Sequence, residues 1–133
     1  MRTVTRRILL NHTDAFGIAF TGQLVTIAME AVEEVLAGTA MDYAQMLRER
    51  RFGTPVVHLE SDFRRPLRHG QTAEIRVSCQ RIGERSYSMR AEFVTSEDGP
   101  AATITMVHAS VDHTLAPCAL PEAIRTTLAE LGA

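Results

Sequence analysis

One carboxylate lies where it could carry out chemistry on an acyl group. Asp14 sits in a glycine-containing loop, seven residues ahead of Thr21, at the predicted start of a helix. A helix start exposes unpaired backbone N–H groups and partial positive charge, which can polarise a carbonyl and stabilise an oxyanion. A carboxylate beside it can act as a nucleophile or as a base toward water. From spacing alone, an aspartate before a helix is more often only a cap or a turn former.

Histidines are the other candidates for general acid–base chemistry. His12 precedes Asp14 by two residues. It either positions water for the reaction or is a histidine at the end of a strand without a chemical role. His58 and Glu60 lie on the same polar face of a predicted strand. They form either an acid–base pair or a solvated charge pair. His108 lies on the last predicted strand without an acidic partner in sequence. No HxxxH, HExxH or CxxC spacing occurs, so no metal site is expected.

Composition narrows the class of protein. The 133 residues are 45% hydrophobic and 23% charged, which predicts one globular domain over residues 1–133 with a buried core. A net charge of −2 and only 5% aromatic residues argue against a nucleic-acid partner. No apolar run approaches the ~20 residues of a membrane span. Two cysteines without a CxxC motif suit a reducing compartment, so a cytoplasmic location is expected.

Hydrophobic periodicity predicts the elements that would position Asp14. The stretch Gln23–Ala37 is predicted to be a helix that is apolar on nearly all sides, capped by Thr21 or Gly22. A period of two predicts antiparallel strands at Thr3–Leu10, Thr54–Arg65, Thr72–Ile82, Ser86–Thr95 and Ala101–His113. Two more helices are predicted at Thr39–Arg51 and Pro121–Leu131, and a turn is predicted at Glu97–Pro100. One buried helix and one antiparallel sheet give a two-layer α+β domain, with the sheet wrapped around the helix.

Two sequence motifs resemble those of a known family. The run Asp14–Ile18 (DAFGI), followed by a long helix, resembles the D-x-x-G-[IV] signature of the 4-hydroxybenzoyl-CoA thioesterase family of hotdog-fold proteins. The run Asp62–Thr72 is similar to that family's strand-turn-strand segment, F-x-R-P-x-x-x-G-[DE], and Arg81–Tyr87 resembles its next turn. The order of elements agrees from about Thr3 to His113, which is most of the chain.

The resemblance implies a fold, an activity and three catalytic positions. The fold would be a hotdog, a curved antiparallel sheet around a central helix, assembled as a homodimer or homotetramer with the acyl-thioester channel between subunits. The activity would be hydrolysis of an acyl-CoA or an acyl carrier protein thioester, without cofactor or metal. Asp14 matches the nucleophile or general base, the Thr21 backbone N–H matches the donor to the thioester oxygen, and Gly17 matches the glycine that shapes the loop.

The resemblance also suggests residues that bind substrate. Where the family often has an aromatic residue and then a trio such as Pro-Asn-Tyr, this chain keeps Phe20 but has Gln23 for the asparagine, which reshapes the acyl pocket. Arginine binds phosphate bidentately, and coenzyme A carries a 3′-phosphate and a pyrophosphate. Alternatively, any of the arginines in these hairpins simply lies on a solvated surface and binds no phosphate. The expected substrate-binding residues are Phe20, Gln23, His58, Arg64, Arg65, Arg68, Arg85 and Ser86.

Two other functions stay open from sequence alone. A hotdog dehydratase acting on hydroxyacyl thioesters would need a loop histidine and a helix carboxylate, for which His12 and Glu30 are imperfect candidates. Glu30 is also the reserve catalytic carboxylate, and its apolar neighbours predict that it is buried. A hotdog protein that binds acyl-CoA without turning it over is the non-enzymatic alternative. Measuring thiol release, enoyl formation and binding on the same thioester separates the three.

Overall fold

A five-stranded antiparallel sheet forms the body of the fold. The computed structural model describes residues 1–96 and 98–132, so Glu97 of the predicted turn lies outside the described residues. The sheet strands are β1 (Arg2–Arg7), β3 (Val56–Phe63), β4 (Thr72–Ile82), β5 (Ser86–Val94) and β6 (Ala102–Ala109), in the order β1-β4-β5-β6-β3. A separate ribbon pairs β2 (Phe52–Gly53) with β7 (Val111–Asp112). The helices are α1 (Thr21–Leu36), α2 (Tyr43–Glu49) and α3 (Glu122–Glu130).

The register of the strands defines two ends of the sheet. At one end, called here the Phe63 end, Phe63 of β3 lies opposite Ala102 of β6. At the other end, called the Val56 end, Val56 lies opposite His108. The central strands bury every second side chain, as their period of two predicts. The predicted antiparallel sheet is therefore present, with β3 at one of its edges.

One face of α1 packs on the sheet and the other stays open. The buried side chains of α1 are Leu24, Ile27, Ala28, Ala31, Val32, Val35 and Leu36. On the opposite face Met29 is 48% exposed, and Glu30 is exposed too. We predicted that this helix is covered on nearly all sides and that Glu30 is buried. Within one chain, both predictions are wrong. Because Glu30 lies on the face turned away from the sheet, its apolar sequence neighbours do not cover it.

Local hydrogen bonds set the ends of α1 and β1. The helix begins at Thr21, because the Phe20 carbonyl accepts from the N–H groups of Gln23 and Leu24, at 3.1 and 3.2 Å. Phe20 is therefore the N-cap, where Thr21 or Gly22 was predicted. The first strand ends at Arg7 rather than Leu10, since a 3-10 turn occupies 10–12.

Two further differences in length also have local causes. The second helix is shorter than the predicted Thr39–Arg51, since it starts after Asp42, whose side chain accepts from the Gln45 N–H at 3.2 Å. The predicted strand Ala101–His113 breaks into β6 and β7 at Ser110. The Ser110 N–H donates to Arg85 and its carbonyl accepts from Cys118, so its backbone leaves the ladder. No described helix is long and apolar enough to cross a membrane.

Shortening the side chain of Ile27 by one methyl group tests the packing of α1 on the sheet. This side chain is 1% exposed on the buried face of the helix. Because removing one buried methyl group loses contacts that the core cannot fully remake, Ile27→Val is expected to lower the free energy of unfolding by about 0.5–1.5 kcal/mol. Urea denaturation followed by circular dichroism measures this change. A midpoint equal to that of the parent protein would contradict the packing described for α1.

Candidate active site

A series of tight turns carries the chain from β1 to Asp14. The Leu9 N–H donates to His12 Nδ1 at 2.9 Å, and the Thr13 hydroxyl donates to the Leu10 carbonyl at 2.7 Å. Since Nδ1 of His12 is an acceptor in this turn, the ring is occupied in holding the backbone. His12 does not end a strand, because β1 ends at Arg7, and its ring instead accepts in the 3-10 turn that directly precedes the Asp14 turn.

Asp14 itself opens a β-turn that Gly17 closes. The Gly17 N–H donates to the Asp14 carbonyl and the Asp14 N–H donates to the Ile18 carbonyl, both at 3.0 Å. Oδ1 of Asp14 accepts from the Phe16 N–H at 2.8 Å, which fixes the carboxylate orientation. Gly17 has a φ of +73°, a conformation that a side chain disfavours. The turn thus holds one carboxylate oxygen and leaves Oδ2 without a hydrogen bond from the described residues.

The Asp14 loop is fastened to the connection between β3 and β4. The Ala19 N–H donates to the Leu67 carbonyl at 2.7 Å, and the His69 N–H donates to the Gly17 carbonyl at 2.9 Å. These bonds join segments some fifty residues apart in sequence, which are the two motifs that carry the family resemblance. They bring Asp14 and the arginines after β3 to the same end of the sheet.

A cleft of about 510 Å³ opens between the Asp14 loop, the start of α1 and the end of β3. It is lined by Asp14, Phe20, Thr21, Phe63, Arg64 and Arg65, among others. The first N–H groups of an α-helix have no intrahelical acceptor and carry partial positive charge. The cleft therefore combines a carboxylate with a helix start that can polarise a carbonyl, the arrangement predicted for acyl transfer.

The two arginines of the cleft differ in what they hold. Arg65 donates to the carbonyls of Gly99 and Asp98, at 2.5 and 3.4 Å, so its guanidinium fastens the connection between β5 and β6. Arg64 is exposed and donates one hydrogen bond, at 2.9 Å, to the hydroxyl of Thr103. Because a guanidinium has five N–H donors, Arg64 is the one with more capacity left for a phosphate.

Five of the eight expected substrate-binding residues lie outside the lining of the cleft, and three of these five lie on α1, on β3 or directly after β3. Gln23 is half-buried in the first turn of α1. Arg68 is exposed in the connection after β3. His58 is exposed on β3, where its Nε2 lies 3.1 Å from Glu60 Oε1. Such an exposed pair in solvent contributes little to stability and gives His58 no contact with the cleft.

Arg85 and Ser86 lie at the opposite end of the sheet from Asp14. They form the turn into β5, where Ser86 pairs with Ala109 at the Val56 end. Along β5, the Phe63 end of the sheet is reached only at Phe93. Phe93 is seven residues after Ser86, which is roughly 23 Å at about 3.3 Å per residue. One chain therefore does not bring this pair to the cleft.

Sequence patterns alone did not reveal a buried polar site around His108. This side chain is 3% exposed, its Nδ1 donates to the Thr54 carbonyl at 2.9 Å, and its ring stacks on Tyr87 at 4.7 Å. Burial lowers the pKa of His108, which favours the neutral ring at pH 7. The available signal was the period of two along β6, which puts His108 on the same buried face as Met106 and Ile104.

The family model described as the thioesterase-like superfamily matches residues 8–128. The chain belongs to this superfamily. The 1,4-dihydroxy-2-naphthoyl-CoA hydrolase of Picosynechococcus sp. is 33% identical to it over 129 residues, which cover 92% of this chain and 88% of that relative. The match confirms the predicted family and the prediction that the chain is a thioester hydrolase.

Solved structures show that this thioesterase has the predicted hotdog fold. A 1,4-dihydroxy-2-naphthoyl-CoA thioesterase from Synechocystis is similar with a TM-score of 0.87 at 21% identity, covering 97% of this chain and 96% of that one. A gentisyl-coenzyme A thioesterase is similar with a TM-score of 0.82 at 20% identity, covering 96% of this chain and 99% of that one. At these identities the likeness bears on the fold alone.

Proposed function

We propose that this thioesterase hydrolyses an aroyl-CoA ester, with Asp14 as the reacting carboxylate and the Thr21 N–H as the oxyanion donor. The observation that carries the proposal is that Asp14 and the start of α1 line the same cleft of about 510 Å³. The turn leaves one oxygen of Asp14 without a hydrogen bond from the described residues, so that this oxygen is available to react.

The reaction can follow either of two balanced routes. In the first, an Asp14 oxygen attacks the thioester carbon and coenzyme A leaves as a thiolate, which gives a mixed anhydride that water then hydrolyses. In the second, Asp14 takes a proton from water while the water oxygen attacks the same carbon, and the proton passes to the leaving thiolate. In both routes the carbonyl oxygen becomes an oxyanion that accepts from the Thr21 N–H.

An aromatic acyl group is supported by the cleft walls and by the relatives. Phe20 and Phe63 are 44% and 46% exposed in one chain, and both line the cleft. Aromatic side chains pack well on another ring in offset or edge-to-face arrangements. The relatives named above act on naphthoyl and gentisyl esters of coenzyme A. Arg64 lies at the cleft, and it can meet a phosphate of the coenzyme.

The site we propose is completed by a second copy of the chain. β3 is an edge strand with open backbone groups, and its Val57 and Leu59 are 61% and 40% exposed. Such an edge is a template for pairing with another strand. Antiparallel pairing of β3 with its copy about a two-fold axis sets the Phe63 end of one chain beside the Val56 end of the other. Arg85 and Ser86 of one subunit then come close to the Asp14 cleft of its partner.

A cytoplasmic location is part of the same proposal. Cys79 is buried and Cys118 is half-buried, and both are free thiols in the described part of the chain. Free thiols persist in a reducing compartment, where coenzyme A esters are also made and used.

Thiol release from a panel of thioesters tests the proposed activity. We expect kcat/KM for benzoyl-CoA and naphthoyl-CoA to exceed that for butyryl-CoA and palmitoyl-CoA by about tenfold or more, because the pocket walls favour a ring. The same aroyl group on an acyl carrier protein serves as the comparison for the carrier. Enoyl formation from a 3-hydroxyacyl-CoA, or saturable binding without thiol release, would replace the proposal with a dehydratase or a binding protein.

A further inference from the structure

The turn between β4 and β5 is held by hydrogen bonds from outside its own hairpin. The turn also closes on itself, because the Gly83 N–H donates to the Ser86 carbonyl at 2.7 Å. Such a bond joins the two ends of a hairpin turn, and strand pairing needs no more. Here the successive carbonyls of Gly83, Glu84 and Arg85 all accept further hydrogen bonds from distant residues. The backbone that carries Arg85 is therefore fixed from outside.

Three separate segments supply these further hydrogen bonds. Nη2 of Arg125, on α3, donates to the carbonyls of Gly83 and Glu84, at 2.9 and 3.1 Å. The Leu120 N–H, just before α3, also donates to the Glu84 carbonyl, at 3.0 Å. The Ser110 N–H, after β6, donates to the last of the three carbonyls at 2.8 Å. Of these donors Arg125 is the side chain, so its contact can be removed by a substitution that leaves the backbone donors in place.

The helix that carries Arg125 is itself anchored in the core. Ile124 and Leu128 of α3 are 2% and 0% exposed. Just after the helix, the Leu131 carbonyl accepts from the Cys79 N–H of β4 at 2.7 Å. Arg125 is half-buried where the helix meets the turn. The helix therefore holds the turn in a fixed position relative to the core.

The side chain of Arg85, unlike its backbone, is available to a ligand. It is exposed, and its guanidinium has no hydrogen-bond or ion-pair partner among the described residues. In the proposed dimer this side chain comes close to the Asp14 cleft of the partner subunit. A guanidinium binds phosphate through parallel N–H donors, and coenzyme A carries phosphates. A backbone that is already ordered loses less entropy when such a contact forms, so the fixed turn favours binding.

We propose that Arg125 is a positioning residue: it holds the turn between β4 and β5 so that Arg85 meets a phosphate of the coenzyme A ester bound in the partner's cleft. This role rests on the proposed function and the proposed dimer, and it gives α3 a part in substrate binding. Arg125 acts through Arg85 and does not touch the thioester. Its removal therefore weakens the binding of the coenzyme and leaves the chemical step unchanged.

The test compares an aroyl-CoA with the same aroyl thioester of pantetheine, which has no phosphate. The parent enzyme is expected to have a KM about tenfold lower for the aroyl-CoA. Arg125→Met, which keeps an unbranched stem but no N–H donor, is expected to raise the KM for the aroyl-CoA about fivefold. Its kcat and its KM for the pantetheine ester are expected to change less than about twofold. Arg125→Lys, which restores a cationic donor, is expected to recover part of the loss.

A matched control and a double-mutant cycle separate positioning from general stabilisation. Arg2→Met is the control, because Arg2 also donates to a carbonyl, that of Val35 at 2.9 Å, away from the turn. It is expected to leave both KM values unchanged. Arg85→Met is expected to raise the KM for the aroyl-CoA about tenfold. Adding Arg125→Met to Arg85→Met is expected to raise this KM no further, because the first residue acts through the second.

Each outcome of these experiments decides the proposal. Equal KM values of the parent enzyme for the two esters, an equal rise of both in Arg125→Met, or additive effects in the cycle would overturn it. Thermal unfolding shows whether Arg125→Met is folded, and Arg125→Gln replaces it if not; unfolding of both would make Arg125 a purely structural residue. If the parent enzyme hydrolyses neither ester, the proposed activity fails. The dissociation constants of coenzyme A and pantetheine from calorimetry then test Arg125 by themselves.

Discussion

Replacing Asp14 by asparagine is expected to lower kcat by about a thousandfold or more while the dissociation constant of the substrate stays near that of the parent enzyme. The amide keeps an oxygen that can accept from the Phe16 N–H, a bond of 2.8 Å in the parent turn, so the loop retains its shape. The amide can neither attack a thioester carbon nor take a proton from water. The loss therefore falls on the chemical step and leaves binding in place.

Stopped-flow thiol release and calorimetry with the same aroyl-CoA separate these two quantities. Glu74→Gln is a matched control, because it removes one exposed carboxylate from β4, where Glu74 pairs with Arg76 away from the cleft. The control is expected to turn over like the parent enzyme. Unchanged kcat in Asp14→Asn would move the reacting group elsewhere, with Glu30 as the next carboxylate to replace. Loss of binding without loss of kcat would make Asp14 a binding residue only.

The Asp14 turn was predictable because its determinants are local. Asp14 and Gly17 are three residues apart, and that spacing is what a β-turn with a left-handed glycine needs. The helix that follows was predictable from its residue composition, although Phe20 rather than Thr21 or Gly22 caps it. Local hydrogen bonds of this kind leave a pattern of residue types that can be read along the sequence.

Contacts between distant segments are harder to read from one sequence. The bond from Ala19 to Leu67 joins the Asp14 loop to the connection after β3, and no pattern along the sequence predicted that these two segments meet. His108 was visible as a histidine on the last strand, but its burial depends on the register of β6. Glu30 was expected to be buried because sequence neighbours do not reveal which face of a helix the sheet covers.

Placing a charge on the open edge of β3 is the strongest test of the proposed shared site. Leu59→Asp is expected to convert the proposed dimer to monomers, since a two-fold interface repeats the substitution and sets like charges along the paired edge. Leu59 is 40% exposed in one chain, so the substitution leaves the monomer core unchanged. The monomer keeps Asp14 and Thr21 but lacks Arg85 and Ser86 of the partner subunit, which help to position the substrate in the proposed shared site. Loss of this positioning is expected to lower kcat/KM by about a hundredfold.

Sedimentation velocity and thiol release on the same samples decide between the alternatives. Leu115→Asp is the matched control, because Leu115 is 79% exposed and lies outside β3, so its replacement is expected to change neither mass nor activity. If Leu59→Asp stays dimeric, β3 is not the interface and the pairing of Phe63 with Val56 across subunits is lost with it. If it is monomeric and fully active, the cleft around Asp14 works alone, and a second chain has no part in the reaction.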